Sequence, residues 1–175
     1  ELNLNTTSAD KAYIRQILCY ETYRDAGGAS SAAYPIRQHR NGAFYQVSIF
    51  VEQIDEDFLD RHGLDSDGAL YKVYNTLNSS STSRNEKKTR LYENWNDLKS
   101  LVNGIAFGGE RYLWDNIDLP AVINYWAATV LVHDNDCVHK NYYVYRDTNG
   151  DRRWRMLPWD KDLTLGRNYT NTGGV

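Results

Sequence analysis

The chain has 175 residues and a mass of 20.2 kDa, with 41% hydrophobic and 25% charged residues, and a chain of this length buries roughly 70% of its unfolded surface, which excludes intrinsic disorder as the main description. Twenty basic residues against 23 acidic ones give a net charge of −3, so there is no basic surplus to neutralise a nucleic-acid backbone, and nucleic acid is set aside as a partner. No stretch reaches the ~18 consecutive apolar residues of a membrane span, and Cys19 and Cys137 form neither a CxxC motif nor a disulfide framework.

Leu2 and Leu4 alternate with asparagines as the end of a strand does, and Ser8 or Asp10 then offers an N-cap for a helix over 11–26 that Gly27-Gly28 ends. Ile14, Ile17 and Leu18 recur at helical spacing, and Glu21 lies near the middle of this helix. Residues 34–51 read as a hairpin about Asn41-Gly42, a dipeptide suited to the type I′ turn, and Glu52 closes its second strand. A short helix over 56–62 stops at Gly63, and Ala69 to Tyr74 form a further strand carrying Lys72. Asn78 to Asn85 is polar and rich in serine and threonine, so it reads as a linker. It divides the chain into residues 1–85, with helix, hairpin and strand, and residues 86–175, which are mainly helical. Overall the pattern is α+β.

In the second part, Trp95, Leu98, Leu101, Val102 and Ile105 mark a helix over 92–107 that Gly108-Gly109 caps. Another helix begins at Asp118 with Pro120 in its first turn, and from Ala121 to Val132 it is apolar on nearly every face, which predicts a central buried helix. The loop 133–141 follows, then a hairpin of 142–146 and 152–157 around Asn149-Gly150, then Pro158-Trp159-Asp160-Lys161-Asp162. The chain starts abruptly in what alternates like a strand and stops without a closing element, which reads as a piece of a longer protein.

Charged and amide side chains crowd the two ends of that last hairpin: Asp134, Asp136, His139 and Asn141 before it, Asp160 and Asp162 after it. A hairpin brings its ends together, so positions 136, 141 and 160 are expected to converge. Clustered carboxylates repel one another, and all-oxygen donors suit Mg²⁺ or Mn²⁺, the first of which takes one or two carboxylates plus substrate phosphates. Phosphoryl transfer is the economical reading. Asp136 and Asn141 have the Asp-x4-Asn spacing of the protein-kinase catalytic loop, where the Asp accepts the acceptor hydroxyl's proton and the Asn holds a metal. Asp160 stands where a second metal-binding Asp follows the next hairpin, with Trp159-Asp160-Lys161 in place of Asp-Phe-Gly.

The run Asn141-Tyr-Tyr-Val-Tyr-Arg-Asp147, with Trp154-Arg-Met-Leu-Pro-Trp-Asp160-Lys-Asp162-Leu-Thr-Leu-Gly166, strongly resembles the CotH family of atypical protein kinases. Leu2-Asn-Leu-Asn5, Tyr23-Arg-Asp-Ala-Gly27, Val51 to Leu59 and Leu70-Tyr-Lys72 are similar to that family's earlier blocks, so the resemblance spans nearly the whole chain. It implies a two-lobe kinase-like fold, ATP with Mg²⁺ or Mn²⁺ as cofactors, and phosphate transfer to serine or threonine hydroxyls of a protein substrate. By the same resemblance Asp136 matches the catalytic aspartate, Asn141 and Asp160 match the metal ligands, Asp162 belongs to the motif, and an extracellular, cell-surface or spore-coat setting is favoured.

One departure concerns the phosphate-binding lysine, which a kinase carries on a strand before the helix that holds its partner Glu. Residues 1–10 contain no lysine. Either this chain lacks that lysine together with an N-terminal part of the small lobe, or Lys72 serves from a different strand. No glycine-rich phosphate loop is present either. Glu21 pairs with a lysine as kinase helix glutamates do, or faces solvent. Glu52 lies at a strand end, beside the nucleotide or in a plain salt bridge.

Simpler explanations cover the remaining motifs. Asp147 to Asp151 lacks the glycine and glutamate of a calcium loop and reads as a hairpin turn. His133 and His139 have no third nitrogen or thiolate donor at zinc spacing. The fourteen tyrosines and five tryptophans fit core packing. Asn5, Asn78 and Asn168 are glycosylation triplets that matter only in a glycosylating cell. A non-catalytic scaffold, supported by the absent lysine and glycine loop, and a metal-dependent phosphate-ester hydrolase stand beside the kinase reading.

Overall fold

A computed structural model describes residues 2–6, 10–74, 77–81, 84–137 and 140–166. Ser8, His139 and Asn168, named above, lie outside them. Among the described residues two antiparallel sheets and five helices make the fold α+β. The first sheet, in the order β1-β3-β2, joins β1 (Asn3–Asn5), β3 (Ala43–Val51) and β2 (Ala33–Arg40). Asn41 and Gly42, with φ of 52° and 81°, make the left-handed turn that the Asn-Gly pair selects. The second sheet, in the order β5-β4-β6-β7, holds β5 (Asn85–Lys87), β4 (Ala69–Val73), β6 (Tyr142–Arg146) and β7 (Trp154–Pro158), and so joins strands from both sides of the polar tract.

The second sheet is covered on both faces, which is why Tyr142, Tyr143, Val144 and Tyr145 are all buried despite their alternation. Tyr71, Val73, Tyr142, Val144 and Trp154 pack on α1 (Arg15–Asp25), α3 (Asn96–Phe107) and α5 (Leu119–Leu131) through Cys19, Tyr23, Leu98, Leu101, Tyr125 and Ala128. On the other face Leu70, Tyr143, Tyr145 and Leu157 meet Ile54 and the α2 (Glu56–Arg61) residues Phe58 and Leu59. A third cluster seats Tyr20 of α1 on Ile49 and Val51 of the first sheet, with Trp159 against it.

Five elements differ from expectation, one of them α3, which starts at Asn96 rather than at 92. Helix α1 starts at Arg15 rather than at 11, because the buried Asp10 carboxylate takes the backbone N–H groups of Ala12, Ile14 and Arg15 and holds the chain in a turn. Strand β5 starts on the last residue of what reads as linker and runs into the part read as mainly helical, since Asn85-Glu86-Lys87 has low strand propensity and forms by pairing with β4. Gly108-Gly109 joins α3 to a further helix, α4 (Gly109–Asn116), where the left-handed Gly109 turns the chain. Helix α5 is capped by Asp118 and opens with Pro120 as expected, but only Tyr125, Ala128 and Thr129 are buried, while Ile123, Val130 and Leu131 are exposed. Its apolar outer face has no layer over it among the described residues.

No helix among the described residues is long and apolar enough to cross a membrane.

Candidate catalytic and metal site

The loop after α5 and the segment after β7 are stitched together by a buried ion pair. Lys161 Nζ lies 2.7 Å from Asp134 Oδ2 and donates also to the Asn141 carbonyl at 2.9 Å, with Lys161 and Asp134 side chains 0% and 1% exposed. Asp134 Oδ1 accepts the Asp136 N–H at 3.0 Å. Backbone bonds continue the seam: Trp159 N–H to Asn141 O at 3.2 Å, Asn135 N–H to Leu163 O at 3.1 Å, and Leu165 N–H to Val132 O at 2.8 Å. Two charges removed from water are held only where both are matched and hydrogen-bonded, and here one pair fixes the register of two loops.

On that frame Asp136 and Asn141 meet directly. Asn141 Nδ2 donates to Asp136 Oδ2 at 2.7 Å, and Lys140 Nζ lies 2.9 Å from the same oxygen. The other oxygen, Asp136 Oδ1, is buried and has no hydrogen-bond partner among the described residues, a costly state for a carboxylate unless a further group completes it. Asn141 and Asp160 both adopt the left-handed backbone region, with φ of 64° and 52°. Asn and Asp tolerate it better than most side chains, and at Asn141 it accompanies a carbonyl that meets Trp159 and Lys161.

Asp160 belongs to the same field. Burial, and then the nearby Asp136 charge, push its carboxyl above the usual aspartate range, and Lys140, Lys161 and Lys72 oppose that rise. Burial, then Asp160 and Asp136, push Asp162 up to about 6. The expected convergence of 136, 141 and 160 is thus present as contact for the first two and as mutual charge for the third. Among the described residues no three His, Cys, Asp or Glu side chains form a ready-made cage for a metal. An Mg²⁺ ion does not require one, because it takes one or two carboxylates and fills its shell with water and phosphate oxygens.

Lys72 reaches the site from β4, its Nζ 5.0 Å from the centroid of the Trp159 ring and 5.8 Å from that of Tyr143. Glu21 does not join it: the side chain is exposed on α1 and pairs with Arg24 at 3.9 Å. The residue of α1 that reaches the site is its neighbour Tyr20, whose Oη accepts the Asp160 N–H at 3.1 Å. Glu52 is taken up by Arg61, which binds both of its oxygens, and by the Ala32 N–H.

Sequence reasoning set Asp134 in the crowded loop without giving it a role, and it missed Lys161, Lys140 and Tyr20. A lysine between two aspartates in Asp160-Lys161-Asp162 is the one local signal, since a buried carboxylate cluster needs a cation. Arg15 and Cys19 add ties from α1 to the segment after Asp160. Arg15 donates to the Thr164 and Leu165 carbonyls at 2.7 and 2.8 Å, and Cys19 Sγ lies 2.9 Å from Thr164 Oγ1. Burial raises the Cys19 thiol to about 11, so it serves packing rather than nucleophilic chemistry.

Lys161→Met leaves Asp134 charged and unmatched in the interior, and is expected to cost about 3–5 kcal/mol in urea unfolding. Adding Asp134→Leu should recover part of that loss, and a Lys161→Met cost under about 1 kcal/mol, the range of a surface pair, would contradict the role given to it. A carboxyl with a raised folded-state pKa keeps its proton in the folded chain where the unfolded chain has lost it. In metal-free buffer the Asp162 contribution to stability therefore falls as pH climbs from about 4, the ordinary aspartate value, through about 6. Asp162→Asn should gain on the wild type across that window in unfolding measured against pH, and a difference independent of pH would contradict the assignment.

A family model described as "CotH kinase protein" matches residues 1–174. The "Inner spore coat protein H" of Bacillus subtilis (strain 168) is 26% identical over 186 residues, which cover 95% of this chain and 50% of that protein. The chain thus spans about half the length of the curated relative it matches. The match runs through the Asp136-x4-Asn141 loop, the hairpin and the Asp160 segment just described, and the chain belongs to the CotH family.

Proposed function

We propose that this chain carries the phosphotransfer site of an atypical protein kinase, which moves the ATP γ-phosphate to serine or threonine hydroxyls of a protein with Mg²⁺ or Mn²⁺. The single observation that carries the reading is Asp136: one oxygen is held by Asn141 and Lys140, and the other, buried, is left open. That is the state of a carboxylate poised to accept a hydroxyl's proton. In this reading residues 1–85 form a small-lobe part and residues 86–175 the large-lobe part of a two-lobe kinase-like fold.

Asp136 Oδ1 receives the proton of the acceptor hydroxyl, while Asn141 turns Asp136 and keeps its own amide oxygen for the metal. Asn141 and Asp160 would hold the ion, with Asp162 beside them. When bound, the ion neutralises charge on the β- and γ-phosphates. The raised pKa of Asp160 and Asp162, caused by burial and then by neighbouring carboxylates, supports this donor set, because a bound cation offsets both effects. Lys72, whose charge opposes the rise at Asp160, meets the phosphates in this reading. Positioning and charge neutralisation supply most of the rate in such sites.

A catalytically inactive kinase-like scaffold, in a coat or cell-surface assembly, is the second reading. It is favoured by Glu21, which is committed to Arg24 rather than to a lysine at the site. The Bacillus relative's name supports a spore-coat setting for either reading.

Thermal shift with ATP and Mn²⁺ separates the two, since ligand at 100 times Kd stabilises by about 2.7 kcal/mol. Wild type should respond, and Asp160→Ala should not. Asp136→Asn should keep the nucleotide but lose transfer of labelled phosphate by ~10² or more, the usual worth of a positioned base. Equal nucleotide affinity in wild type and Asp160→Ala would overturn the kinase reading.

A further inference from the structure

The first sheet has an open side. Strand β2 is its outer strand, and no strand lies beside it among the described residues. From 33 to 51 the hairpin contains no Asp or Glu, yet it carries Arg37, His39 and Arg40, in a chain whose net charge is −3. All three side chains are exposed. They rest on aromatic rings rather than on carboxylates: the Arg37 guanidinium lies 5.4 Å from the Phe44 centroid, that of Arg40 6.0 Å from Tyr45, and His39 meets Phe44 edge-on at 6.3 Å. Cations seated on rings lose less freedom when they engage a partner.

An open strand edge offers a row of backbone donors and acceptors and is a template for a further strand. The charges decide which strand. A second copy of the hairpin brings a further pair of arginines to an edge that already has two and no carboxylate, which is unfavourable wherever they fall opposite one another. A strand bearing carboxylates meets attraction where a neutral or basic one meets a barrier.

We propose that the free edge of β2 binds an extended acidic segment of a partner protein as a fourth strand, its carboxylates facing Arg37, His39 and Arg40. The proposal stands independently of the phosphotransfer reading, because it uses none of that site's residues.

The test uses the whole chain and a short fluorescent peptide that alternates glutamate with valine, beside the same peptide with lysine for glutamate. In fluorescence anisotropy the glutamate peptide should bind, and added salt should weaken it by screening. The charge reversal Arg37→Glu with Arg40→Glu should lower its affinity by about tenfold or more. The milder Arg37→Gln with Arg40→Gln should give an intermediate loss and guards against misfolding of the first variant. Amide hydrogen exchange should slow at 36–40 when the peptide binds. Equal binding of the two peptides, unchanged affinity in both variants, or no protection along β2 would each overturn the proposal. So would self-association of the chain through this edge, or equal binding by single-stranded DNA, which would mark a surface for polyanions in general.

Discussion

The contact between Lys161 and Asp134 is the constraint on which the rest of the site depends. Neither side chain touches solvent, and the interior returns the cost of desolvating two charges only if their remaining donors and acceptors are also satisfied. They are: Lys161 holds the Asn141 carbonyl as well, and Asp134 holds the Asp136 N–H. A single pair therefore reaches the backbone or flank of Asp136, Asn141 and Asp160. Such an arrangement has one register, because sliding either loop by a residue would leave a buried charge alone.

From this constraint the electrostatics follow. Holding two loops in contact brings Asp136, Asp160 and Asp162 into one field, and burial first, then the neighbouring carboxylates, push Asp160 and Asp162 above the usual aspartate range. Lys140, Lys161 and Lys72 offset part of that repulsion. The lysines come from the loop after α5, the segment after β7 and strand β4, so the charge balance of the site spans both flanks of the second sheet. Helix α1 closes the arrangement through Tyr20, Arg15 and Cys19, which tie its buried side to residues 160–165. A change on α1 is thereby coupled to the segment that carries Asp160.

Much of this was legible in the residues. Asn41-Gly42, Asp118-x-Pro120 and the hairpin about Asn149-Gly150 are local signals whose physics is complete within a few residues, and each gave the element it announced. The approach of 160 to 141 follows from the closing of a hairpin, and the meeting of 136 with 141 is a contact five residues apart within one loop. What the sequence could not supply were facts set at long range. The burial of Lys161 depends on Asp134, 27 positions away, and Tyr20 rather than Glu21 reaches Asp160 because helix α1 turns that side of itself toward residues 140 positions on. The exposed face of α5 misled for a related reason: an apolar helix states that it wants to be covered, not what covers it.

Paramagnetic broadening by Mn²⁺ tests the shared site most directly. In a titration followed by amide NMR, the account predicts that the resonances of Asp136, Asn141 and Asp160 fade together and ahead of the rest. Broadening that starts at the surface carboxylates Asp65, Asp67 and Asp147, or that reaches Asp160 while Asp136 and Asn141 stay sharp, would contradict it.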